Sequence, residues 1–580
     1  MTKLMLNMAI GSSIFVNVFA SAQQEYNPEL AYKDASQTIL QQQREQNLQS
    51  QVQPQSDIRL DDLNLSKNNQ DDYLSSDRES VCFEIKQFVL QGDEAERFRF
   101  ALRKITHGQY NLIGRCIGAK GLEQALNLVQ NEVITKGYVT SRLLFPAQNV
   151  ASGKIYIQVI PGRIDQVRLS EGTLDEITLW NALPLQAGDV LNIRDIEQGL
   201  ENFKRVPTVD IDFSIQPAQH NTAPGYSDVI LSWQQKRPYR LNLTVDDSGS
   251  DSTGKYQGSA TLSLDHLFQM NDLFYASYNH DLGGGDSGRR GSEGFYLSYT
   301  VPYHYWLLNL NYAQSDYHQN VAGSSEDYLY SGESQQINLG LSRLIYRDAK
   351  RKTTLNLGAW YRDSNNYIND IEVEVQRRKT AGWKAGIEHT EYLPYATLNA
   401  SINYKRGTAM LNAQPAPEQD FGEGSSRVGI WQANANLQVP FNIAQQPFQY
   451  LVDWRVQTSQ HALTPQDRFS IGNRYTVRGF NEEQTLLGDQ GLVIRNEIST
   501  PLPTLRTQLY AGVDYGEVGG RSTRQPNPLV GTSLMGAALG VRGQLFSQFH
   551  YDAFIATPLY KPTSFQTDAL TSGFSVNWSY

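Results

Sequence analysis

From residue 238 to its end, the chain runs in short segments that alternate apolar and polar side chains. No other feature constrains its fold as much. Leu308, Leu310 and Tyr312 alternate with Leu307, Asn309 and Asn311. The same holds for Leu355, Leu357, Ala359 and Tyr361, for Leu398, Ala400, Ile402 and Tyr404, and for Phe549, Tyr551, Ala553 and Ile555. A period of two with one apolar face is the mark of a strand. About sixteen such strands can be counted, an even number, as closed single-chain outer-membrane barrels have. The connections alternate in length. Short ones fall at residues 268–271, 302–304, 348–350 and 501–505, and long ones at 248–254, 282–292, 315–332, 364–370 and 460–490. Short inner turns against long outer loops are what a barrel threaded through a membrane needs. The final segment, residues 574–580, alternates strictly and ends on Tyr580. A last strand of this kind can close the sheet and leave no free edge. The 32 tyrosines suit aromatic girdles at the two water interfaces. The predicted fold class is a transmembrane β-barrel of about 16 antiparallel strands.

The start of the chain points to export. Lys3 is followed by a mostly apolar run over residues 4–19 and then by Ala20-Ser21-Ala22. This predicts a signal peptide ending at residue 22. The alternative, a membrane anchor, fits poorly with Asn7 and the Gly11-Ser12-Ser13 break. In an exported chain the two cysteines, Cys82 and Cys116, read as one disulfide. The alternative is two separate buried thiols. The balance of 60 acids against 50 bases, a net charge of −10, argues against nucleic acid as a partner.

Two further regions precede the barrel. Residues 28–51 are rich in Gln, Glu, Ala and Leu and predict a helix. Its apolar stripe is thin: Leu30, Ile39, Leu40 and Leu48. Such a helix is either solvated or lies in a watery channel. Residues 52–79 read as a flexible linker. From residue 80 the pattern is strand 82–90, helices 93–105 and 121–136, and strands 139–145 and 154–160. A second unit follows: strand 164–169, helices 174–183 and 193–203, and strands 208–215 and 228–233. The order β-α-α-β-β occurs twice, an internal repeat of architecture. The predicted divisions are a signal peptide (1–22), a helix (23–51), a linker (52–79), two small α+β domains (80–162 and 163–237) and the barrel (238–580).

Candidate sites are few. Gly283-Gly284-Gly285-Asp286-Ser287-Gly288 contains G-D-S-G and fits G-x-G-x-x-G. A nucleotide loop needs a strand before it and a helix after it, and here strands lie on both sides. A serine nucleophile needs a partnered His and Asp, and none can be nominated. The segment reads as a flexible hairpin. The nine histidines show no metal spacing. No enzyme, cofactor or metal is expected. RYTVRGFNEE at 474–483 differs: within a polar loop it sets Val477, a charge at Arg478, a hinge at Gly479 and an aromatic at Phe480. Farther on, Asp514 alternates with Leu509, Ala511 and Val513 and so faces the lumen beside Tyr510 and Gly512. If the loop folds inward, Arg478 and Asp514 can form a bidentate pair, with Gly479 allowing the turn. The other reading leaves both charges separately solvated.

These features together resemble the outer-membrane transporters of two-partner secretion, a family that shares a superfamily with the barrel-assembly proteins. The resemblance spans essentially the whole mature chain. Its marks are VRGF at 477–480, GVDYG at 512–516, CF-x-I at 82–85, GRCIG at 114–118, GYVTSR at 137–142, LNIRDIEQGLEN at 191–202 and PGYSDV at 224–229. It implies that the two small domains are periplasmic POTRA domains and that the amino-terminal helix plugs the lumen. It implies a loop-six pair between Arg478 and Asp514, with Gly512 and Gly516 in the same wall motif. It further implies a monomer in outer-membrane lipid whose partner is a secreted β-helical exoprotein, met through that protein's amino-terminal secretion domain. The exoprotein would be an adhesin, a cytolysin or a contact-dependent growth-inhibition toxin, with a lean to the last. A barrel-assembly insertase and a passive porin are the alternatives.

Overall fold

The computed structural model describes residues 28–53, 57–60, 81–170, 177–323, 326–422, 424–502, 506–521 and 531–580. The expected signal peptide and most of the expected linker lie outside these residues. The first element, helix α1, runs Pro28–Val52.

The first small domain contains β1 (Gln87–Gln91), α2 (Arg103–Thr106), α3 (Ala119–Thr135), β2 (Arg142–Leu144) and β3 (Lys154–Ile160). Its sheet order is β1-β3-β2, with β1 parallel to β3. Ala125, Val129 and Val133 recur every four residues, so they line one face of α3 and are fully buried. Residues 93–105 were expected to be one helix. Instead a 3₁₀ turn at Arg99–Leu102 leads into the short α2. Buried Phe98 and Ala101 are three apart, a spacing that eclipses in a 3₁₀ turn. Cys82 and Cys116 are joined by a disulfide, Cα atoms 5.3 Å apart.

The second small domain repeats the plan with β4 (Arg163–Leu169), α4 (Ile193–Lys204), β5 (Val209–Pro217) and β6 (Tyr226–Gln235), in the order β4-β6-β5. Asn192 caps α4 by accepting from the Arg194 amide at 2.9 Å. Ile193, Ile196, Leu200 and Phe203 of α4 enter the domain core. The helix expected at 174–183 is absent over its described part, 177–183. Those residues dock under the barrel instead. Asn181 Nδ2 donates to the Pro302 carbonyl at 3.2 Å, and Asn271 Nδ2 donates to the Thr178 carbonyl at 2.7 Å. Tertiary hydrogen bonds here take the place of helical ones.

The rest is a closed antiparallel barrel of sixteen long strands, from Tyr239–Asp246 to Thr571–Ser579. A two-residue strand, Ile371–Glu372, extends one hairpin. Last and first strands pair from Ser575↔Asp246 to Ser579↔Asn242. Leu308, Leu310, Leu339, Leu357, Ile402, Leu509, Leu539 and Ile555 are exposed on the outward face, the apolar band of a membrane barrel. Two of the expected long loops are strand. Trp306–Ala322 and Asp327–Arg347 pair from Trp306↔Arg343 to Ala322↔Asp327, and Arg351–Ile368 pairs on in the same way. A spanning strand needs about 9–11 residues, and Asp327–Arg347 has 21. Its polar outer half reads as loop in sequence. Nevertheless, the ladder gives each backbone group a partner whatever the side chains are.

Candidate functional site

Residues 460–489 connect the strands Gln446–Ser459 and Gln490–Leu502. They do not extend outward. A short hairpin forms between Phe469–Ile471 and Leu486–Gly488. Ile471, Val477, Phe480 and Leu486 then pack with Val493, Val518, Leu534 and Phe565 in one buried cluster. Burying these apolar side chains drives the loop inward. Phe480 meets Phe565 edge-on, ring centroids 5.4 Å apart.

Arg478 therefore lands on the inner wall, with 3% of its surface exposed. Its Nε donates to Asp514 Oδ2 at 2.7 Å and its Nη2 to Asp514 Oδ1 at 2.8 Å. The Arg478 backbone amide adds a third bond, to Oδ2 at 3.1 Å. This is the bidentate fork that suits guanidinium to carboxylate. Gly479 sits at φ +102°, where a Cβ would lie 2.6 Å from the Thr557 carbonyl oxygen. Gly512 has a different reason: a Cβ there would lie 2.2 Å from Arg478 Nη2. Gly516 lies against Val477. The structure thus brings together all seven candidate residues of the two motifs. The Cys82–Cys116 bridge lies apart, in the first small domain.

Two further contacts were not foreseen from sequence. Glu497 faces the lumen on the neighbouring strand, where it pairs with Gly512 in register. Its Oε2 accepts from Arg478 Nη1 at 2.9 Å, and its Oε1 lies 2.8 Å from Arg542 Nη1. The signal was available, because Glu497 alternates with outward Ile494 and Ile498. Arg474 is the second. Its Nε donates to Glu482 Oε1 at 3.0 Å and its Nη2 to Asp247 Oδ1 at 2.9 Å. Asp247 Oδ1 also accepts from the Phe574 amide at 2.8 Å. Arg478 thus ties the loop to one wall, and Arg474 ties it to the seam of first and last strands.

Helix α1 lies inside the barrel against this loop. Ser36 Oγ is 2.9 Å from Thr485 Oγ1, and Asn473 Nδ2 donates to Gln43 Oε1 at 2.9 Å. Gln37 Nε2 donates to Ser250 Oγ at 2.9 Å. Leu48 and Val52 pack on Tyr275, Tyr296 and Ala313 of the wall. The contacts are mostly neutral hydrogen bonds, which fits a polar helix in a watery lumen.

The profile of "Haemolysin secretion/activation protein ShlB/FhaC/HecB" matches residues 225–543, and two POTRA profiles match 83–162 and 163–217. The chain belongs to the ShlB/FhaC/HecB family. It is 34% identical over 517 residues to "Outer membrane transporter CdiB-2" of Burkholderia pseudomallei, covering 86% of each chain. It is 24% identical to "Hemolysin transporter protein HpmB" of Proteus mirabilis, over 75% of this chain and 76% of that one. The solved structure of CdiB from Acinetobacter baumannii superposes with a TM-score of 0.82 at 34% identity, covering 94% of this chain and 99% of that one. This ShlB/FhaC/HecB-family chain is an outer-membrane transporter of two-partner secretion, with its POTRA domains in the periplasm.

Proposed function

We propose that this chain exports one large β-helical exoprotein, of the contact-dependent growth-inhibition type, from the periplasm to the cell surface. The exoprotein's amino-terminal secretion domain is met by POTRA domains spanning 80–162 and 163–237. The chain then passes through the barrel of residues 238–580. Export involves no catalytic step of the transporter's own, which works as a monomer in outer-membrane lipid. Residues 1–22 direct the transporter to the periplasm and are removed. Helix α1 is a plug that leaves the lumen during export. The Arg478–Asp514 pair, within Val477–Phe480 and Gly512–Gly516, holds loop six in its inward position.

The observation that carries this reading is a lumen filled from within by loop six and helix α1. Loop six is held by an arginine fork, and α1 meets that loop through the neutral Ser36–Thr485 and Gln43–Asn473 hydrogen bonds. The test is co-expression with the exoprotein encoded beside the transporter. Wild type should place exoprotein on the surface or in the medium, and Arg478→Ala and Asp514→Ala should abolish this at normal barrel levels. Unchanged secretion by both variants would sink the role given to the pair.

A further inference from the structure

A piece of the expected linker is docked. Residues 57–60 run extended between α4 and the periplasmic rim of the barrel. The Ile58 amide donates to Glu201 Oε1 at 3.2 Å, and the Leu60 amide donates to Glu197 Oε1 at 2.9 Å. Two carboxylates one helical turn apart thus read alternate amides of an extended chain. Arg347, at the end of its barrel strand, donates Nη2 to the Ile58 carbonyl at 2.6 Å. The same guanidinium binds Glu197 at 2.9 Å and Glu201 at 2.8 Å, and Lys352 Nζ meets Glu201 at 2.7 Å. Ile58 and Leu60 both pack on the core of the second POTRA domain. On the outer side, the Tyr392 hydroxyl donates to Asp57 and its ring takes the Arg59 guanidinium at 4.2 Å.

The groove recognises an extended backbone with apolar residues two apart, an acid before the first and a cation between them. Its walls balance their own charge, with Glu197 paired to Arg194 and Arg347 and Glu201 paired to Arg347 and Lys352. The linker is held there by two half-buried apolar side chains, three backbone hydrogen bonds, the Asp57–Tyr392 bond, and Arg59 contacts to the Tyr392 ring and the Ala349 carbonyl. It is a short ligand of four described residues, with Asp57 and Arg59 exposed at its outer side. Three residues, 54–56, separate this docked piece from the end of the lumen segment. Displacing it therefore frees the chain that leads away from α1.

We propose that this groove is a chain-binding site at the barrel mouth, occupied by the linker at rest and taken over by an extended segment of the exported exoprotein. The proposal rests on the exporter reading above. The incoming segment carries alternating apolar residues, as β-helical chains do, and recognition uses the α4 carboxylates rather than a free strand edge.

The test replaces Tyr392 with photoreactive benzoylphenylalanine in the full chain, in native outer membranes. Without exoprotein, irradiation should join position 392 to the linker peptide around Asp57–Leu60. With an exoprotein stalled by a stably folded carboxy-terminal fusion, the linker adduct should fall at least about fivefold and an exoprotein adduct should replace it. Exoprotein on the surface with the adduct still on the linker overturns the groove and leaves the exporter reading standing. No exoprotein on the surface from unmodified chain overturns the exporter reading itself. A second measurement uses a fluorescent peptide copying residues 55–62. It should bind the full-length Ile58→Asp/Leu60→Asp variant at least about tenfold tighter than wild type. The same peptide with aspartate at its Ile58 and Leu60 positions should bind neither. Equal binding of both peptides to both proteins would reject the site.

Discussion

Arg478 makes four hydrogen bonds to two carboxylates while almost wholly removed from water. Removing one partner of such a pair leaves an unpaired buried charge and typically costs about 3–5 kcal/mol. The cost should differ by partner. Asp514 accepts three of the bonds and Glu497 one, so Asp514→Ala should destabilise loop six more than Glu497→Ala. Thermal unfolding of the purified barrels, read beside protease sensitivity of residues 460–489, checks this order. Arg478→Lys should keep a charge but lose the fork, and so should fall between wild type and Arg478→Ala. Gly512→Ala should act like a partner loss, since its methyl would occupy the space of Arg478 Nη2. A Gly512→Ala protein with wild-type stability would mean that the guanidinium can shift without cost.

At the scale of elements, α1 and α4 illustrate two uses of a helix. Helix α1 packs few apolar residues and sits in the lumen through side-chain hydrogen bonds. Deleting residues 28–52 should therefore raise single-channel conductance in planar bilayers while leaving the barrel folded. Unchanged conductance would count against a plug. Helix α4 is buried on nearly every side. Its apolar stripe enters the POTRA core, and Glu197 and Glu201 face the barrel rim. Burial works against the charge of Glu201, but Arg347 and Lys352 outweigh it and hold its carboxyl below the usual 4.5. Glu197 adds a like charge nearby, and buried Arg205 adds a further cation. A depressed acid stabilises the contact of α4 with the barrel rim above its ordinary value, and that stabilisation is lost as pH falls through the lowered one. Protease resistance of the junction between α4 and the Arg347 strand end should thus hold from neutral pH down to about 4.5 and fall below it. The disulfide belongs to another element pair. Its loop spans a sequence separation of 34, so Cys82→Ser with Cys116→Ser should cost the first POTRA domain roughly 2–4 kcal/mol. Barrel unfolding should not change.

For the whole molecule, the alternation of side chains specified the barrel, because a strand turns one face to lipid and the other to the lumen. The strand total and the inward face of Asp514 follow from that period. The repeated order of strands and helices was legible for the same reason: core spacing such as Ala125, Val129 and Val133 is local information. Boundaries were legible only where side chains marked them. Polar residues 315–332 looked like loop, yet most of them lie in strands. The expected helix at 174–183 gave way, over its described residues, to a docking turn. In the first case a hairpin ladder formed between polar segments, and in the second hydrogen bonds to distant residues decided the backbone; neither depends on an apolar pattern in the sequence. The same limit applies to the lumen. Sequence alone set Arg478 and Asp514 as two charges that could meet. Only the tertiary structure added Glu497 and the Arg474 tie to Asp247. It also seated residues 57–60 between α4 and the rim. Each of these contacts joins residues far apart in the chain, and closing the barrel is what brings them within hydrogen-bond reach.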